Sequence, residues 1–229
     1  MNARFGFGLG AALALTVAAS AAGWVDLFDG KSLKGWVLRS GVATYKAEDG
    51  MIVGTAVLDS PNTFLCTEKE YGNFILELEI KDDPELNSGV QIRSQVADKE
   101  IVMRLERNGK EIERKFPPGR VYGYQVEVSD QPRQESGNIY DEARRGIFLD
   151  NFANKPEARK AFQFGEWNKF RIEARGDSIK TWVNGVACAD IKDSMTPRGI
   201  IGLQVHQVSP KKFKAHQVRF RNIRIKDLD

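Results

Sequence analysis

The segment "FRIEARGDSIKTWVNGVACADI", residues 170–191, decides the fold class. Apolar and polar residues alternate along it, and the alternation breaks at Gly176-Asp177 and again at Asn184-Gly185. Alternation with a period of two is typical of a half-buried strand. An Asn-Gly pair is the preferred chemistry of a two-residue hairpin turn, in which both residues take positive φ. The segment therefore predicts consecutive antiparallel strands joined by tight turns.

Strand patterns recur along the chain, whereas a helical pattern is confined to "NKPEARKAF" (154–162). A charged stretch around an Asn-Gly turn, residues 97–119, predicts a hairpin that projects from the body and ends at Pro117-Pro118-Gly119. Short strands with turn signals every 8–12 residues indicate an all-β sandwich or barrel. The further strand segments are "FILELEIK" (74–81), "GVQIRSQ" (89–95), "YQVEVSD" (124–130), "GIIGLQVHQV" (199–208) and "VRFRNIRIKDL" (218–228).

The amino terminus has the pattern of a secretory signal peptide. Arg4 precedes an apolar run from about Phe5 to Ala18, and small residues follow at Ala19-Ser20-Ala21. The run is too short to predict a membrane span. We therefore predict a leader over residues 1–21, export to the periplasm or beyond, no membrane span after its removal, and a single domain over residues 22–229.

Charge and cysteine content exclude some classes of function. The chain has 34 Lys and Arg against 31 Asp and Glu, so a basic footprint for nucleic acid is absent. Cys66 and Cys188 could form one disulfide in an exported protein, or could both be small buried apolar residues. No cysteine or histidine spacing of the usual zinc type is present. We predict neither a metal nor a cofactor.

Three of the predicted strands carry paired functional side chains opposite their apolar face. Amide, guanidinium, carboxylate and imidazole groups are those that bind sugar hydroxyls and carbonyls. If the strands are neighbours in one curved sheet, these side chains line a common concave surface. The pairs are Gln91 with Arg93, Gln125 with Glu127 and Gln204 with His206, and a polar segment after the second pair adds Tyr140, Asp141, Arg144 and Arg145.

These segments together resemble the 3-keto-disaccharide hydrolase domain family, over almost the whole chain from Gly23 to Leu228. The segments that carry the resemblance are "GWVDLFDGKSLKGW" (23–36), "NSGVQIRS" (87–94), "GRVYGYQVEVSD" (119–130), "GNIYDEARRG" (137–146), "EWNKFRIEARGDSIKTWVNG" (166–185), "GLQVH" (202–206) and "VRFRNIRIKDL" (218–228). The resemblance implies a two-sheet antiparallel jelly-roll sandwich of the concanavalin A-like class with few short helices. It also implies a hydrolase acting on glycosidic bonds of sugars oxidised to a ketone at ring position three.

Cleavage of such a sugar requires a base, a group that stabilises an enolate oxygen, and an acid for the leaving oxygen. On this hypothesis Glu127 is the base and His206 a rival base or acid. Arg93 and Gln91 would hold the ketone or enolate oxygen. Substrate-binding residues would complete the site: Gln91, Gln125, Gln204, Tyr140, Asp141, Arg144 and Arg145.

Two other functions remain open at the level of sequence. A conventional β-glucanase on the same fold would place paired carboxylates on one strand, and only Glu127 and Asp130 come near that pattern. A non-catalytic, lectin-like module is the second, because this fold serves binding as readily as hydrolysis. Lectin sites favour an exposed aromatic platform, and the four tryptophans lie in segments with the pattern of core or strand-edge packing. The tyrosines Tyr122, Tyr124 and Tyr140 are better placed for that role.

Overall fold

The computed structural model describes residues 23–129, 133–209 and 214–229, so the predicted leader lies outside the described residues. In these ranges one 3-10 helix, Phe152–Asn154, and one short α-helix, α1 (Pro156–Lys160), accompany the strands. The strands are β1 (Trp24–Asp26), β2 (Trp36–Arg39), β3 (Thr44–Glu48), β4 (Met51–Thr55), β5 (Thr63–Thr67), β6 (Phe74–Asp82), β7 (Ser88–Val96), β8 (Ile101–Arg107), β9 (Lys110–Phe116), β10 (Val121–Val128), β11 (Ile139–Glu142), β12 (Asn168–Arg175), β13 (Ser178–Val183), β14 (Val186–Lys192), β15 (Ile200–Val205) and β16 (Gln217–Asp227).

The described strands form two antiparallel sheets and one separate hairpin. The eight-stranded sheet has the order β14-β13-β12-β6-β16-β4-β3, with β1 also paired to β16. The six-stranded sheet has the order β11-β10-β7-β15-β5-β2. Strands β8 and β9 pair with each other and with no other strand of the described residues. The all-β antiparallel sandwich expected from the sequence is confirmed.

One apolar core lies between the two sheets, and period-two patterning supplies its residues. In β6, Leu76, Leu78 and Ile80 are buried, whereas Glu77 and Glu79 are only partly buried on the opposite face. Residues of β7, β10 and β15 meet them from the other sheet. Because burial of a Leu or Ile side chain contributes about 1.5–3 kcal/mol, this interface holds the two sheets together. Among the described residues, no helix is long and apolar enough to cross a membrane.

Asn-Gly turns close two of the hairpins as predicted. Asn184 and Gly185 have φ values of 51° and 83° between β13 and β14, and Asn108 and Gly109 have 52° and 74° between β8 and β9. Positive φ at both positions matches the right-handed twist of the strands. The charged β8–β9 hairpin lies outside both sheets, and Phe116 anchors it by stacking on the Tyr122 ring at 4.7 Å.

The two cysteines are free and buried, so they occupy the place of small apolar residues and do not form a disulfide. Burial raises the pKa of the Cys66 thiol to about 12 and that of Cys188 to about 11. Since the thiolate is the reactive form, neither side chain is a nucleophile at neutral pH.

Candidate functional site

The polar side chains of three strands meet on the outer face of the six-stranded sheet. Gln125 of β10 lies opposite Gln91 of β7. Glu127 of β10 and Gln204 of β15 both lie opposite Gly89. A Cβ atom at Gly89 would come within 2.6 Å of Gln125 Cδ, so only glycine leaves room for the Gln125 side chain there. Gln91, Gln125, Glu127 and Gln204 therefore meet as predicted, but Gln91 and Gln204 are fully buried and do not line a surface that a ligand can reach, so their predicted contact with substrate is unsupported.

A chain of hydrogen bonds orients these amides and ends on the carboxylate. Ser94 Oγ donates to Gln91 Oε1 at 2.7 Å, and Gln91 Nε2 donates to Gln125 Oε1 at 2.7 Å. Gln204 Nε2 donates to the same Gln125 oxygen at 2.9 Å. Gln125 Nε2 is then left to donate to Glu127 Oε2, at 2.8 Å. The network therefore holds one oxygen of the Glu127 carboxyl group, Oε2, in place.

Glu127 opens onto a polar cavity of about 330 Å³ at the end of this face. That volume is in the range of small-molecule sites. Polar side chains dominate the lining, and they come from both strands and loops. The lining residues are Asn62, Asn87, Arg120, Gln125, Glu127, Arg133, Tyr140, Glu142, Phe148, His206 and Gln207. We refer to this cavity as the Glu127 pocket.

Burial raises the pKa of Glu127 to about 7. Hydrogen bonds from Asn87 Nδ2, at 2.5 Å, and from Gln125 oppose that shift, as does the positive charge of Arg133. The negative charge of Glu142 adds to it. A carboxyl group that is half ionised near neutral pH can accept a proton and release it again, as a general base requires.

The raised pKa of Glu127 makes stability fall as pH rises. Between about pH 4.5 and 7 the folded protein keeps a proton on Glu127 that the unfolded chain has released, so the free energy of unfolding decreases through that window. Relative to a Glu127→Gln variant, we expect the wild type to lose on the order of 2–3 kcal/mol between pH 5 and pH 8. Urea unfolding of both proteins at the two pH values measures this. Parallel pH profiles would contradict it.

A second carboxylate, Glu142, is anchored on the same side of β11 as Tyr140. Glu142 Oε1 accepts hydrogen bonds from Arg120 Nη2 at 3.0 Å and from Asn62 Nδ2 at 3.3 Å. The ring of Tyr140 packs against that of Phe148 at 5.2 Å. Burial, with the negative charges of Glu142 and Glu127, raises the pKa of Tyr140, so its hydroxyl stays protonated. Within the described part of the chain that hydroxyl makes no hydrogen bond, which leaves it available to a ligand.

His206 lies in the wall of the pocket with one ring nitrogen engaged. His206 Nδ1 is 2.8 Å from the backbone oxygen of Gln207. Because a carbonyl oxygen only accepts, Nδ1 carries the proton in that bond, and Nε2 is the nitrogen left for a ligand. Gln204, two residues earlier, is fully buried, and its Oε1 has no hydrogen-bond partner among the residues described.

Arg93 does not lie in the Glu127 pocket, so its predicted place on this face is wrong. Its guanidinium donates to the backbone oxygens of Gly72 and Gly176, both at 2.7 Å. A β-bulge in β7 is the cause. The three residue steps from Ile92 to Gln95 lie opposite only two residue steps of β10, from Tyr124 to Tyr122, and Arg93 takes a positive φ of 46°. The extra residue reverses the alternation, and Ser94 occupies the face expected for Arg93.

The predicted substrate-binding roles of Asp141, Arg144 and Arg145 are also unsupported by their positions. Asp141 alternates with Tyr140 and Glu142 on β11 and therefore points away from the pocket. Its Oδ1 accepts from Arg144 Nε at 2.6 Å, and its Oδ2 accepts from Arg145. Arg145 Nη1 continues to Asp193 Oδ2 at 2.8 Å. These three residues form a buried ionic network beside the pocket and do not line it.

Sequence reasoning missed seven of the lining residues. Asn87 and Glu142 could have been found from the alternation of side chains between the two faces of a strand. Asn87 lies two residues before Gly89 and four before Gln91, and Glu142 lies two residues after Tyr140, so each shares a face with them. The others lie on loops or at strand ends, where no periodic signal exists. They are Asn62, Arg120, Arg133, Phe148 and Gln207. In residues 23–129, 133–209 and 214–229, no three His, Cys, Asp or Glu side chains come together as metal ligands.

Comparison with known proteins shows the fold and the family. A family model described as a 3-keto-alpha-glucoside-1,2-lyase-like domain matches residues 23–226. No curated protein sequence matches the chain. A solved candidate glycosyl hydrolase from Parabacteroides distasonis is 21% identical, with a TM-score of 0.56 over 90% of this chain and 94% of that one.

Two proteins of Bacillus subtilis share the same architecture. The carbohydrate-binding module CBM66 is 14% identical, with a TM-score of 0.55 over 84% of this chain and 96% of that one. A protein of unknown function with a galectin-like fold is 11% identical, with a TM-score of 0.56 over 85% and 90%. At such identities these likenesses bear on fold alone, and the lectin-like jelly roll that the sequence resemblance implied is confirmed.

Proposed function

The chain belongs to the 3-keto-alpha-glucoside-1,2-lyase-like domain family, and we propose that it is an exported single-domain enzyme that cleaves 3-keto-glycosides by base-assisted elimination followed by hydration. The observation that carries this proposal is the state of Glu127. It is a buried carboxyl group with a pKa of about 7, oriented by Gln125 and Asn87 in a polar pocket. Such a group suits removal of a carbon-bound proton at neutral pH.

The ketone makes the first step accessible to a carboxylate. A carbonyl at C3 acidifies the hydrogen on C2, so Glu127 takes that proton and the C2–H electron pair forms an enolate with the charge on the C3 oxygen. In place of Arg93, Arg120 and Arg133 supply positive charge in the pocket for that oxygen. Arg120 uses only one of its guanidinium nitrogens on Glu142, so its other donors remain for the substrate.

The second and third steps expel the leaving sugar and add water. The enolate electrons form the C1–C2 double bond as the glycosidic C1–O bond breaks, and the leaving oxygen takes a proton from His206 or Tyr140. Water then adds across that double bond: its hydroxyl joins C1 while its proton restores the His206 or Tyr140 acid, and Glu127 delivers the proton it holds, after exchange with solvent, to C2. The net reaction is hydrolysis. In contrast to ordinary glycosidases, it requires neither the build-up of positive charge at C1 nor a pair of catalytic carboxylates.

Isotope incorporation tests this function directly. In D2O the purified protein is expected to cleave 3-keto-trehalose and to place deuterium at C2 of the released 3-keto-glucose, well above an enzyme-free incubation, because C2 loses and regains a proton from solvent. Trehalose itself should remain intact. Cleavage of trehalose or of a β-glucan at a comparable rate, or product without deuterium at C2, would identify a conventional glycosidase instead.

A further inference from the structure

A second and larger groove, of about 700 Å³, lies on the outer face of the eight-stranded sheet. The Glu127 pocket lies on the other sheet of the sandwich, so the two cavities are on opposite faces. Lining residues of the groove come from β1, β6, β12, β13 and β16. Three of the four tryptophans, Trp24, Trp167 and Trp182, are half-buried on this side of the molecule. Trp182 lies within β13, which pairs with a strand on each side, so the core or strand-edge position expected from sequence does not hold for this half-buried residue.

Cross-strand pairing builds a rigid polar floor for the groove. Arg224, Glu77, Arg171 and Trp182 lie side by side on four neighbouring strands. Glu77 holds both arginines, since its Oε1 is 2.6 Å from Arg171 Nη1 and its Oε2 is 2.6 Å from Arg224 Nη2. Arg171 lies 5.9 Å from the centroid of the Trp182 ring. The ring is thus fixed in place beside a satisfied ion-pair cluster.

Three other lining groups stand outside this ion-pair cluster. The Asp26 carboxylate, the Lys169 ammonium group and the Trp182 indole N–H make no hydrogen bond or ion pair within the described residues. One is an acceptor and two are donors, so a complementary ligand must both donate and accept. Sugar hydroxyl groups do both.

The charge of the groove indicates a neutral occupant. Asp26, Glu77 and Glu79 are balanced by Lys169, Arg171 and Arg224. A polyanion or polycation would find no net attraction in such a lining. An aromatic ring beside a few polar groups fits a ligand with apolar C–H faces and many hydroxyls.

We propose that this groove is a second carbohydrate site, which binds a neutral oligosaccharide segment on Trp182 through hydrogen bonds to Asp26 and Lys169. The site holds the domain on a glycan chain while the opposite face remains free for the Glu127 pocket. This inference does not depend on the reaction in that pocket, because binding here is measured without turnover.

Calorimetric titration of the protein with maltoheptaose, cellohexaose and laminarihexaose tests the proposal. At least one of these neutral glucans is expected to bind, and Trp182→Ala should weaken that binding about tenfold or more, since an aromatic contact contributes about 1.5 kcal/mol. Asp26→Asn, which removes the charge and replaces one carboxylate oxygen by an amide donor without creating a cavity, should also weaken it. Trp167→Ala is the matched control, because Trp167 is half-buried on the same side but does not line the groove.

The variants also separate this site from the Glu127 pocket. Glu127→Gln should retain oligosaccharide binding, and Trp182→Ala should retain cleavage of soluble 3-keto-trehalose. Three results would overturn the proposal: no binding of any of the three glucans, binding that is lost in Glu127→Gln and kept in Trp182→Ala, or a concentration-dependent dimer in light scattering that Trp182→Ala dissociates. The last result would make the groove an interface between two copies of the chain.

Discussion

Replacement of Glu127 by glutamine is expected to lower kcat on 3-keto-trehalose about a thousandfold, within the range for loss of a general base. Glutamine keeps the volume of the side chain and one acceptor, but it cannot take a proton from C2. Asn87 and Gln125 both donate to Glu127, at 2.5 and 2.8 Å, so one of these donors loses its acceptor in the variant. Steady-state kinetics with 3-keto-trehalose measures the effect.

A loss of activity has to be separated from a loss of structure. Glu48→Gln, at an exposed position on β3, is the matched control and should keep wild-type kinetics. The Glu127→Gln variant itself should unfold at a urea concentration no lower than that of the wild type at pH 8, since it removes a buried carboxylate. Turnover within a few-fold of wild type would exclude Glu127 as the base.

A leaving-group comparison assigns the role of His206. If His206 protonates the departing oxygen, His206→Gln should slow the cleavage of 3-keto-trehalose about a hundredfold. It should hardly affect the cleavage of a 4-nitrophenyl 3-keto-glucoside, because the 4-nitrophenolate leaving group needs no proton. Loss of the base would slow the cleavage of both substrates. His216→Gln is the natural control, because His216 is the other histidine and lies by Asp83 and Glu85, outside the pocket.

Period-two patterning was sufficient to predict most of the fold. β12 and β13 follow strict alternation, β6 does so from Leu76 onward, and both Asn-Gly turns have the positive φ values that their chemistry favours. The meeting of Gln91, Gln125, Glu127 and Gln204 also followed from parity. The alternation of side chains does not predict the order of strands in a sheet. The expected convergence required β7 to lie between β10 and β15, and the six-stranded sheet has that order.

The errors arose where a local feature breaks the alternation or ends a strand. The bulge in β7 leaves no mark in the sequence, since Arg93 is neither Gly nor Asn, and it turned one predicted site residue to the other side of the sheet. Four residues of the segment after β10, Tyr140, Asp141, Arg144 and Arg145, were assigned to substrate because its composition is polar. Once β11 is a strand, only alternate residues can reach the pocket, so Tyr140 does and Asp141 does not.

The buried charges of the same segment are expected to make a large contribution to stability. Asp141→Asn is expected to reduce the free energy of unfolding by about 3–5 kcal/mol, the cost of leaving a buried charge without its counterion. Asp141 and Arg144 are both fully buried. Besides Asp141, the Arg144 guanidinium group lies 4.6 Å from the centroid of the Tyr124 ring and 3.3 Å from Thr196 Oγ1, and its Nη2 has no hydrogen-bond partner within the described residues. Urea unfolding at pH 7 measures the change.

Asp190→Asn provides the comparison, because its ion pair with Lys180, at 2.9 Å, is exposed on both sides and should contribute less than about 1 kcal/mol. A second change, Arg144→Met in the Asp141→Asn background, should restore part of the loss by removing the uncompensated charge. If Asp141→Asn costs no more than Asp190→Asn, the network does not stabilise the fold. If the loss is as large as expected, Asp141 serves the pocket indirectly, since it holds the strand whose opposite face presents Tyr140 and Glu142 to the ligand.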